Sequence, residues 1–198
     1  MKIGFYPGCS LNGTSREYNE SVKALAQVMG LELIELKDWN CCGATAAHSM
    51  NKELSLALPT RILALAEKQG FQEIVVPCAS CYNRLSVAQY ELEKDETLKD
   101  DVLTVVGLPY LGTVKVLNVI QFIEKYIMDI LPDKIINPFT HQVACYYGCL
   151  LLRPHKILKF DRLEDPQSMD KIMSVLGATP IDLSLIHISE PTRLGMIS

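Results

Sequence analysis

The chain has 198 residues, of which 48% are hydrophobic and 21% are charged, and its formal net charge at pH 7 is -4. This length and hydrophobic content suffice for one generous domain, or for one complete domain and part of another. The mild acidity, without a basic stripe or a polybasic run, argues against nucleic acid or an anionic membrane surface as a partner.

The N-terminal residues, MKIGFYPGC, lack the long apolar run and the small-residue cleavage site of a signal peptide. The most apolar later stretch, residues 113–131, is interrupted by charged and polar side chains, which favours an amphipathic helix over a membrane span. We therefore expect a cytoplasmic protein without a membrane span, in a compartment where disulfides are rare.

Seven cysteines occur in the chain, which is an odd number and too small a share for a disulfide scaffold. In a reducing compartment, clustered cysteines indicate metal binding or redox chemistry more often than covalent cross-links. The seven are Cys9, Cys41, Cys42, Cys78, Cys81, Cys145 and Cys149.

The first hundred residues alternate between short apolar runs and stretches with helical spacing of apolar side chains. Pro59 is expected to break or restart the second of the helices. The resulting βαβαβα order predicts an α/β fold, a Rossmann-like parallel sheet with right-handed crossovers and flanking helices. Strands are predicted at residues 2–6, 31–36 and 73–77, and helices at about 15–29, about 51–69 and from about 81 to 94.

The next part of the chain has a weaker pattern. Residues 91–112 are polar and charged and end in a loop with glycine and proline, so we expect a connector there. An amphipathic helix is predicted over residues 113–131, followed by a proline-rich turn over residues 132–138.

Each cysteine group follows a predicted strand. Cys9 comes after the first strand, the pair Cys41 and Cys42 after the second, and Cys78 and Cys81 after the third. The carboxyl ends of parallel strands meet at one edge of the sheet, where binding sites collect. We therefore expect these five thiols to converge.

A second copy of the unit is indicated by two internal similarities. Residues 143–151, VACYYGCLL, resemble residues 3–11, IGFYPGCSL, so that Cys149 corresponds to Cys9. Residues 175–183, VLGATPIDL, resemble residues 28–36, VMGLELIEL. Cys145 corresponds to a core position of the first copy, so we expect it to be a buried small hydrophobe.

The last residues of the chain do not continue this repeat. A second cysteine pair is expected near residue 188, but the sequence there reads SLIHISEPTRLGMIS. This tail resembles translated adapter sequence, and we expect residues 185–198 to be non-native and the second copy to be incomplete.

Five thiolates from three strand ends exceed the four ligands of a structural zinc site. An iron–sulfur cluster spreads several irons over a few ångströms, and it accepts ligands from several directions. A zinc site and metal-free redox thiols stay open as alternatives.

The spacing C-X31-CC-G-X34-C-X-X-C, with the flanking residues YPGCSL, DWNCCGA and PCASCYNRL, resembles the CCG, or cysteine-rich, domain found in the B subunit of heterodisulfide reductase. The likeness extends to about residue 184. It implies a first CCG domain with a helical connector over residues 1–140 and a partial second CCG domain over residues 141–184.

In that family, two CCG motifs each hold a non-cubane [4Fe-4S] cluster, and the two clusters cleave the disulfide between coenzyme M and coenzyme B. The resemblance implies that Cys9, Cys41, Cys42, Cys78 and Cys81 ligate the first cluster and that Cys149 is the first ligand of the second. It also implies two partners in the same complex, a ferredoxin-like C subunit together with a flavin A subunit.

The other four ligands of the second motif are absent from the sequence, so we expect this chain alone to be inactive. A second functional class also stays open. In that alternative, the chain is a non-catalytic iron–sulfur electron-transfer subunit of a related complex.

Overall fold

The computed structural model describes residues 2–181, apart from the side chain of His48. Four parallel strands form the main sheet in the order β2-β1-β3-β4, and two further strands, β5 and β6, form a small parallel pair. The strands are β1 (Lys2–Phe5), β2 (Glu32–Glu35), β3 (Glu73–Val75), β4 (Lys115–Leu117), β5 (Gln142–Val143) and β6 (Thr179–Pro180). The predicted α/β fold with a parallel sheet is confirmed.

Nine helices and one 3-10 turn, at Pro132–Lys134, connect these strands within the described residues. The helices are α1 (Gly8–Asn12), α2 (Arg16–Val28), α3 (Ala47–Met50), α4 (Lys52–Lys68), α5 (Ala79–Lys94), α6 (Glu96–Val106), α7 (Val119–Tyr126), α8 (Cys149–Leu152) and α9 (Ser168–Val175).

Helices cover both faces of the main sheet because side chains of adjacent residues on a strand point to opposite faces. Ile3 and Phe5 of β1 pack with α2 and α7, whereas Tyr6, next along the chain, packs with α4 and α5 on the other face. In β3, Ile74 and Val75 divide between the two faces in the same way. The sheet is therefore the shared wall of two hydrophobic cores.

The connector predicted at residues 91–112 is wrong in part, because α6 occupies its centre. The side chain of Asp95 accepts a hydrogen bond from Leu98 N–H at the start of α6, and Gly107, at φ 66°, ends the helix in a left-handed conformation. These cap residues satisfy backbone groups that would otherwise be unpaired at the helix ends. Both cap residues stand in the sequence, but the high charge of the segment hides the helix between them.

The single helix predicted at residues 113–131 is also wrong in part, because its first residues form β4. Asn118 then begins α7 with a capping box, in which its side chain accepts from Gln121 N–H and the Gln121 side chain accepts from Asn118 N–H. A strand of three residues is too short for its alternation to be distinguished from an amphipathic helix.

Pro59 lies inside α4 and does not interrupt it, which contradicts the predicted break. Proline removes one N–H donor from a helix, and carbonyl groups near it need other partners. The Thr60 hydroxyl donates to the Leu56 carbonyl at 2.7 Å, and the Asn40 side chain donates to the Leu58 carbonyl at 3.1 Å. These two contacts supply donors to this part of the helix from outside the backbone.

The C-terminal part of the described chain has the same order of elements as the first part. β5, α8, α9 and β6 follow one another as β1, α1, α2 and β2 do, and both strand pairs are parallel. Gly30 follows α2 and Gly177 follows α9, and both glycines have positive φ. Tyr6 is fully buried, whereas the corresponding Tyr146 is 56% exposed. The expected second cysteine pair near residue 188 and the tail at 185–198 lie outside the described residues.

None of the helices in the described part of the chain is both long enough and apolar enough to span a bilayer.

Replacing Leu63 by alanine tests whether the core on the α4 side stabilises the fold. Leu63 is fully buried in α4, so L63A should lower the free energy of unfolding by about 2–5 kcal/mol through lost contacts and a cavity. L54A changes a leucine in the same helix that is 39% exposed, and it should cost about 1 kcal/mol or less. Equal costs in urea denaturation would contradict this assignment of the core.

Candidate functional site

The strand order creates a crevice at the carboxyl edge of the sheet. β1 lies between β2 and β3, and the chain leaves β1 and β3 toward opposite faces, through α2 and α5 respectively. In parallel sheets, such a change of direction opens a crevice between the two strands. Cys9 follows β1, Cys78 and Cys81 follow β3, and Cys41 and Cys42 lie in the loop after β2.

The structure brings four of the five thiols into two contacting pairs. The Sγ atoms of Cys9 and Cys41 lie 3.8 Å apart and are exposed, whereas those of Cys42 and Cys81 lie 3.2 Å apart and are buried. Cys78 is half-buried and forms the N-cap of α5, three residues before Cys81. The donor set therefore extends from the core to the surface at one edge of the sheet.

Two glycines next to the cysteines occupy positions where a side chain would not fit. Gly8 has φ 70°, and a Cβ atom there would lie 2.9 Å from the Sγ of Cys81. Gly43, which follows the cysteine pair, has φ 74°, and a Cβ atom there would lie 2.7 Å from Leu58 Cδ1. Only glycine adopts this backbone conformation without strain, so both positions combine a steric and a conformational requirement.

Asn40 connects the vicinal cysteines to the rest of the fold. Its side chain donates to the carbonyls of Cys41 and Leu58, and its own carbonyl accepts from the Tyr6 hydroxyl at 2.8 Å. Arg61 of α4 donates to the Asn40 side chain at 3.0 Å.

Arg61 also forms an ion pair with Asp38 at 2.6 Å and donates to the Asp38 carbonyl. Sequence reasoning missed Asn40 and Arg61. Asn40 stands beside the cysteine pair, but Arg61 lies twenty-one residues away from it, with no local signal.

The pKa values of Cys42, Cys78 and Cys81 are shifted in different directions. The hydrogen bond between the thiols of Cys42 and Cys81 lowers the pKa of Cys42 to about 7, against the opposing effect of burial. The Cys81 thiol and backbone N–H groups at the start of α5 lower the pKa of Cys78 to about 6. Its two sulfur neighbours and burial raise the pKa of Cys81. Cys42 and Cys78 are therefore more acidic than an ordinary thiol, whereas Cys81 is less acidic.

This donor set fits an iron–sulfur cluster. Thiolates are the ligands that iron–sulfur clusters require, and low thiol pKa values reduce the proton release that accompanies binding. The absence of a side chain at Gly8 keeps space open beside Cys81. Across residues 2–181, with the His48 side chain left aside, no three His, Cys, Asp or Glu side chains form a ready-made site for a single metal ion.

The remaining two cysteines lie in the C-terminal part. Cys149 is exposed and begins α8, which packs against α5, the helix that carries Cys81. The predicted burial of Cys145 is wrong in part, because this residue is half-buried; burial together with Asp170 raises its pKa to about 11. Cys145 lies just after β5, which ends at Val143 and belongs to a two-stranded sheet that is too small to enclose it.

Residues 3–86 match the family model of the cysteine-rich domain CCG. This segment of the chain resembles the CCG domain. The match contains all five cysteines at the sheet edge and confirms the resemblance seen in the sequence.

Two relatives are similar to nearly the whole chain. The 8-methylmenaquinol:fumarate reductase membrane anchor subunit of Wolinella succinogenes is 33% identical over 181 residues, which cover 89% of this chain and 62% of that protein. The B subunit of the ferredoxin/F(420)H(2)-dependent CoB-CoM heterodisulfide reductase of Methanosarcina acetivorans is 29% identical over 189 residues, which cover 91% and 62%. The chain thus spans 62% of the length of these relatives, and its predicted relationship to heterodisulfide reductase B subunits is confirmed.

A crystal structure of a hypothetical protein from Helicobacter pylori has the same fold. It superimposes with a TM-score of 0.65 at 13% sequence identity, over 92% of this chain and 33% of that one. At this identity, the likeness shows the fold alone.

Alkylation of the metal-free protein tests whether Cys81 lowers the pKa of Cys78. Cys78 should react with iodoacetamide with a pH midpoint near 6, because its thiolate persists well below the ordinary thiol pKa. C81A removes the hydrogen-bond donor and should move this midpoint to higher pH, whereas C81S, which keeps a hydroxyl donor, should move it less. Peptide-resolved mass spectrometry measures the rates.

Cys145 serves as an internal control in this experiment, since its raised pKa predicts slow reaction at neutral pH. An unchanged midpoint for Cys78 in C81A would contradict the assigned cause.

Proposed function

We propose that the chain is the cluster-binding part of the B subunit in a heterodisulfide reductase-type complex, an oxidoreductase that acts on a small disulfide. The observation that carries this proposal is the convergence of the CCG cysteines at one sheet edge, in two contacting pairs with Cys78 beside them. The relative from Methanosarcina acetivorans, named for CoB-CoM heterodisulfide reduction, supports the choice of substrate class.

In this proposal, Cys9, Cys41, Cys42, Cys78 and Cys81 hold a non-cubane [4Fe-4S] cluster. The cluster supplies electrons, and the overall reaction adds two electrons and two protons to a disulfide to give two thiols. The protein positions the ligands and excludes water from the inner ones. Burial of Cys42 and Cys81 beneath Tyr6 provides that exclusion, and the Asn40 contacts fix the turn that carries the vicinal pair.

A second cluster site is part of the same proposal, with the domain division at residues 1–140 and 141–184. Cys149 would be its first ligand, and the packing of α8 on α5 supports a position facing the first site. Residues 185–198 would be non-native, and the missing ligands would come from the rest of a longer protein. A ferredoxin-like C subunit together with a flavin A subunit would deliver electrons.

The relative from Wolinella succinogenes favours a second candidate, a non-catalytic electron-transfer subunit. Its name describes a quinol:fumarate reductase, so this chain's relatives are not all named for disulfide reduction. In that case, the cluster would pass electrons without contacting a substrate disulfide. Reduction of a disulfide by the full-length protein with a chemical electron donor would support the enzyme, whereas reoxidation by a protein partner alone would support the relay.

Analysis of iron and acid-labile sulfide after anaerobic reconstitution tests the cluster itself. The chain should bind iron and sulfide in equal amounts, and serine at any of the five CCG cysteine positions should reduce both, because a hydroxyl is a poor cluster ligand. C145S is the matched control and should bind as the parent chain does. Stoichiometric zinc with no sulfide would refute the cluster.

Alanine at Gly8 tests the space beside Cys81. G8A and G30A both introduce a side chain at positive φ, near 70° in each case, and should share a strain of about 1–2 kcal/mol. A Cβ atom at position 30 has no neighbour within 4 Å, whereas one at position 8 lies 2.9 Å from the Cys81 sulfur. Cluster content should therefore fall in G8A and not in G30A. Equal content in the two variants would contradict a role for Gly8 at the site.

A further inference from the structure

The loop that carries the vicinal cysteines runs beside α4, and side chains of this helix hold it at separate points. At the start of the loop, Gln69, the C-cap of α4, donates to the Lys37 carbonyl at 3.1 Å and accepts from the Lys37 N–H at 2.9 Å. Farther back in the helix, Arg61 donates to Asp38 and to Asn40. One helix therefore holds the loop from its beginning to the residue before the cysteine pair.

A single guanidinium group makes the contacts nearest the cysteines. Arg61 donates to the Asp38 carbonyl at 2.7 Å, to the Asp38 carboxylate at 2.6 Å and to Asn40 Oδ1 at 3.0 Å. Asp38 has φ 59° and is the one non-glycine residue among residues 2–181 with a positive φ. A side chain makes this conformation unfavourable, although aspartate tolerates it better than most residues. Arg61 supports it by contacting both the backbone and the side chain of Asp38.

The contact between Arg61 and Asn40 decides which way the Asn40 amide points. A guanidinium group has donors and no acceptor, so the oxygen of the amide must face Arg61. The nitrogen is then directed away from Arg61 and donates to the Cys41 carbonyl at 2.8 Å and to the Leu58 carbonyl at 3.1 Å. If the amide were reversed, its oxygen would meet two carbonyl oxygens and all three hydrogen bonds would be lost.

The backbone of Asn40 is held separately, from the side of the sheet. The hydroxyl of Tyr6, a fully buried residue, donates to the Asn40 carbonyl at 2.8 Å. The Tyr6 ring packs edge to face against Trp39, with 5.5 Å between the ring centroids. These contacts do not include the Asn40 amide, so the orientation of that amide depends on Arg61.

We propose that Arg61 is a positioning residue for the ligands Cys41 and Cys42 and that it acts through the side chain of Asn40. The guanidinium group fixes the amide, and the amide fixes the Cys41 carbonyl, which belongs to the peptide group that joins the two cysteines. This peptide group sets the directions in which the two thiols leave the backbone, one toward Cys9 and the other toward Cys81. The role in cluster binding rests on the proposed function.

Release of iron to a chelator from the anaerobically reconstituted chain tests this role. R61Q should release iron about tenfold faster than the parent chain, as is usual when a residue that orients a metal ligand is removed. R61K keeps the charge but lacks the planar fork, so it should resemble R61Q. Q69A removes a contact between the same helix and the start of the loop, and it should match the parent chain. A parent-like rate in R61K would overturn the proposal.

Substitution of Asn40 distinguishes positioning from general stabilisation of the fold. In N40D the carboxylate still accepts from Arg61 but cannot donate to the Cys41 carbonyl, and N40A removes both contacts without adding charge. Both variants should release iron as fast as R61Q and alter the electron paramagnetic resonance spectrum of the reduced cluster. Combining R61Q with N40A should add no further effect, because both changes interrupt one route. Parent-like spectra and rates in both Asn40 variants, or additive effects in the combined variant, would overturn the proposal.

Backbone amide resonances of the isotope-labelled, metal-free chain give a readout that is independent of the proposed function. R61Q and N40A should shift the resonances of residues 41–43, whereas Q69A should not; if R61Q fails to fold, N40A decides. If the parent chain takes up no iron and sulfide, the proposed function fails, and the resonances still decide whether Arg61 positions the pair. If the cluster binds and R61Q changes neither the resonances nor the release rate, the positioning role is refuted and the proposed function stands.

Discussion

The parallel pairing of β1 with both of its neighbours is the constraint on which the site depends. The register aligns Gly4 with Ile34 of β2 and with Ile74 of β3, so the three strands end at a common edge. Cysteines separated by as many as thirty-nine residues thereby come within 3.2 Å of each other. A shift in this register would separate the thiols, because each group is attached directly to a strand end or a short loop.

Further contacts around the thiols fix their positions at this edge of the sheet. Asn40, Arg61 and Tyr6 fix the loop after β2, and Gly8 leaves space beside the sulfur atom of Cys81. These contacts surround the thiols and are not ligands themselves. Precise placement of donors by surrounding hydrogen bonds is a general requirement of metal and cluster sites.

Charge is distributed unevenly around the site. The inner thiols favour negative charge near neutral pH, which suits binding of iron.

Local sequence determined much of the main sheet and the location of the cysteine site. Short apolar runs followed by cysteine predicted three of the four strands of the main sheet and the edge at which the thiols meet, because buried parallel strands leave continuous apolar runs and share a carboxyl edge. The spacing and neighbours of the cysteines predicted the match to the CCG domain.

Tertiary structure alone decided the rest of the fold and of the site. Pro59 is buried inside an uninterrupted α4, β4 is too short to show its period, and Arg61 reaches Asn40 only after folding. Local sequence shows which groups can form a contact, but only packing determines which distant partners they meet.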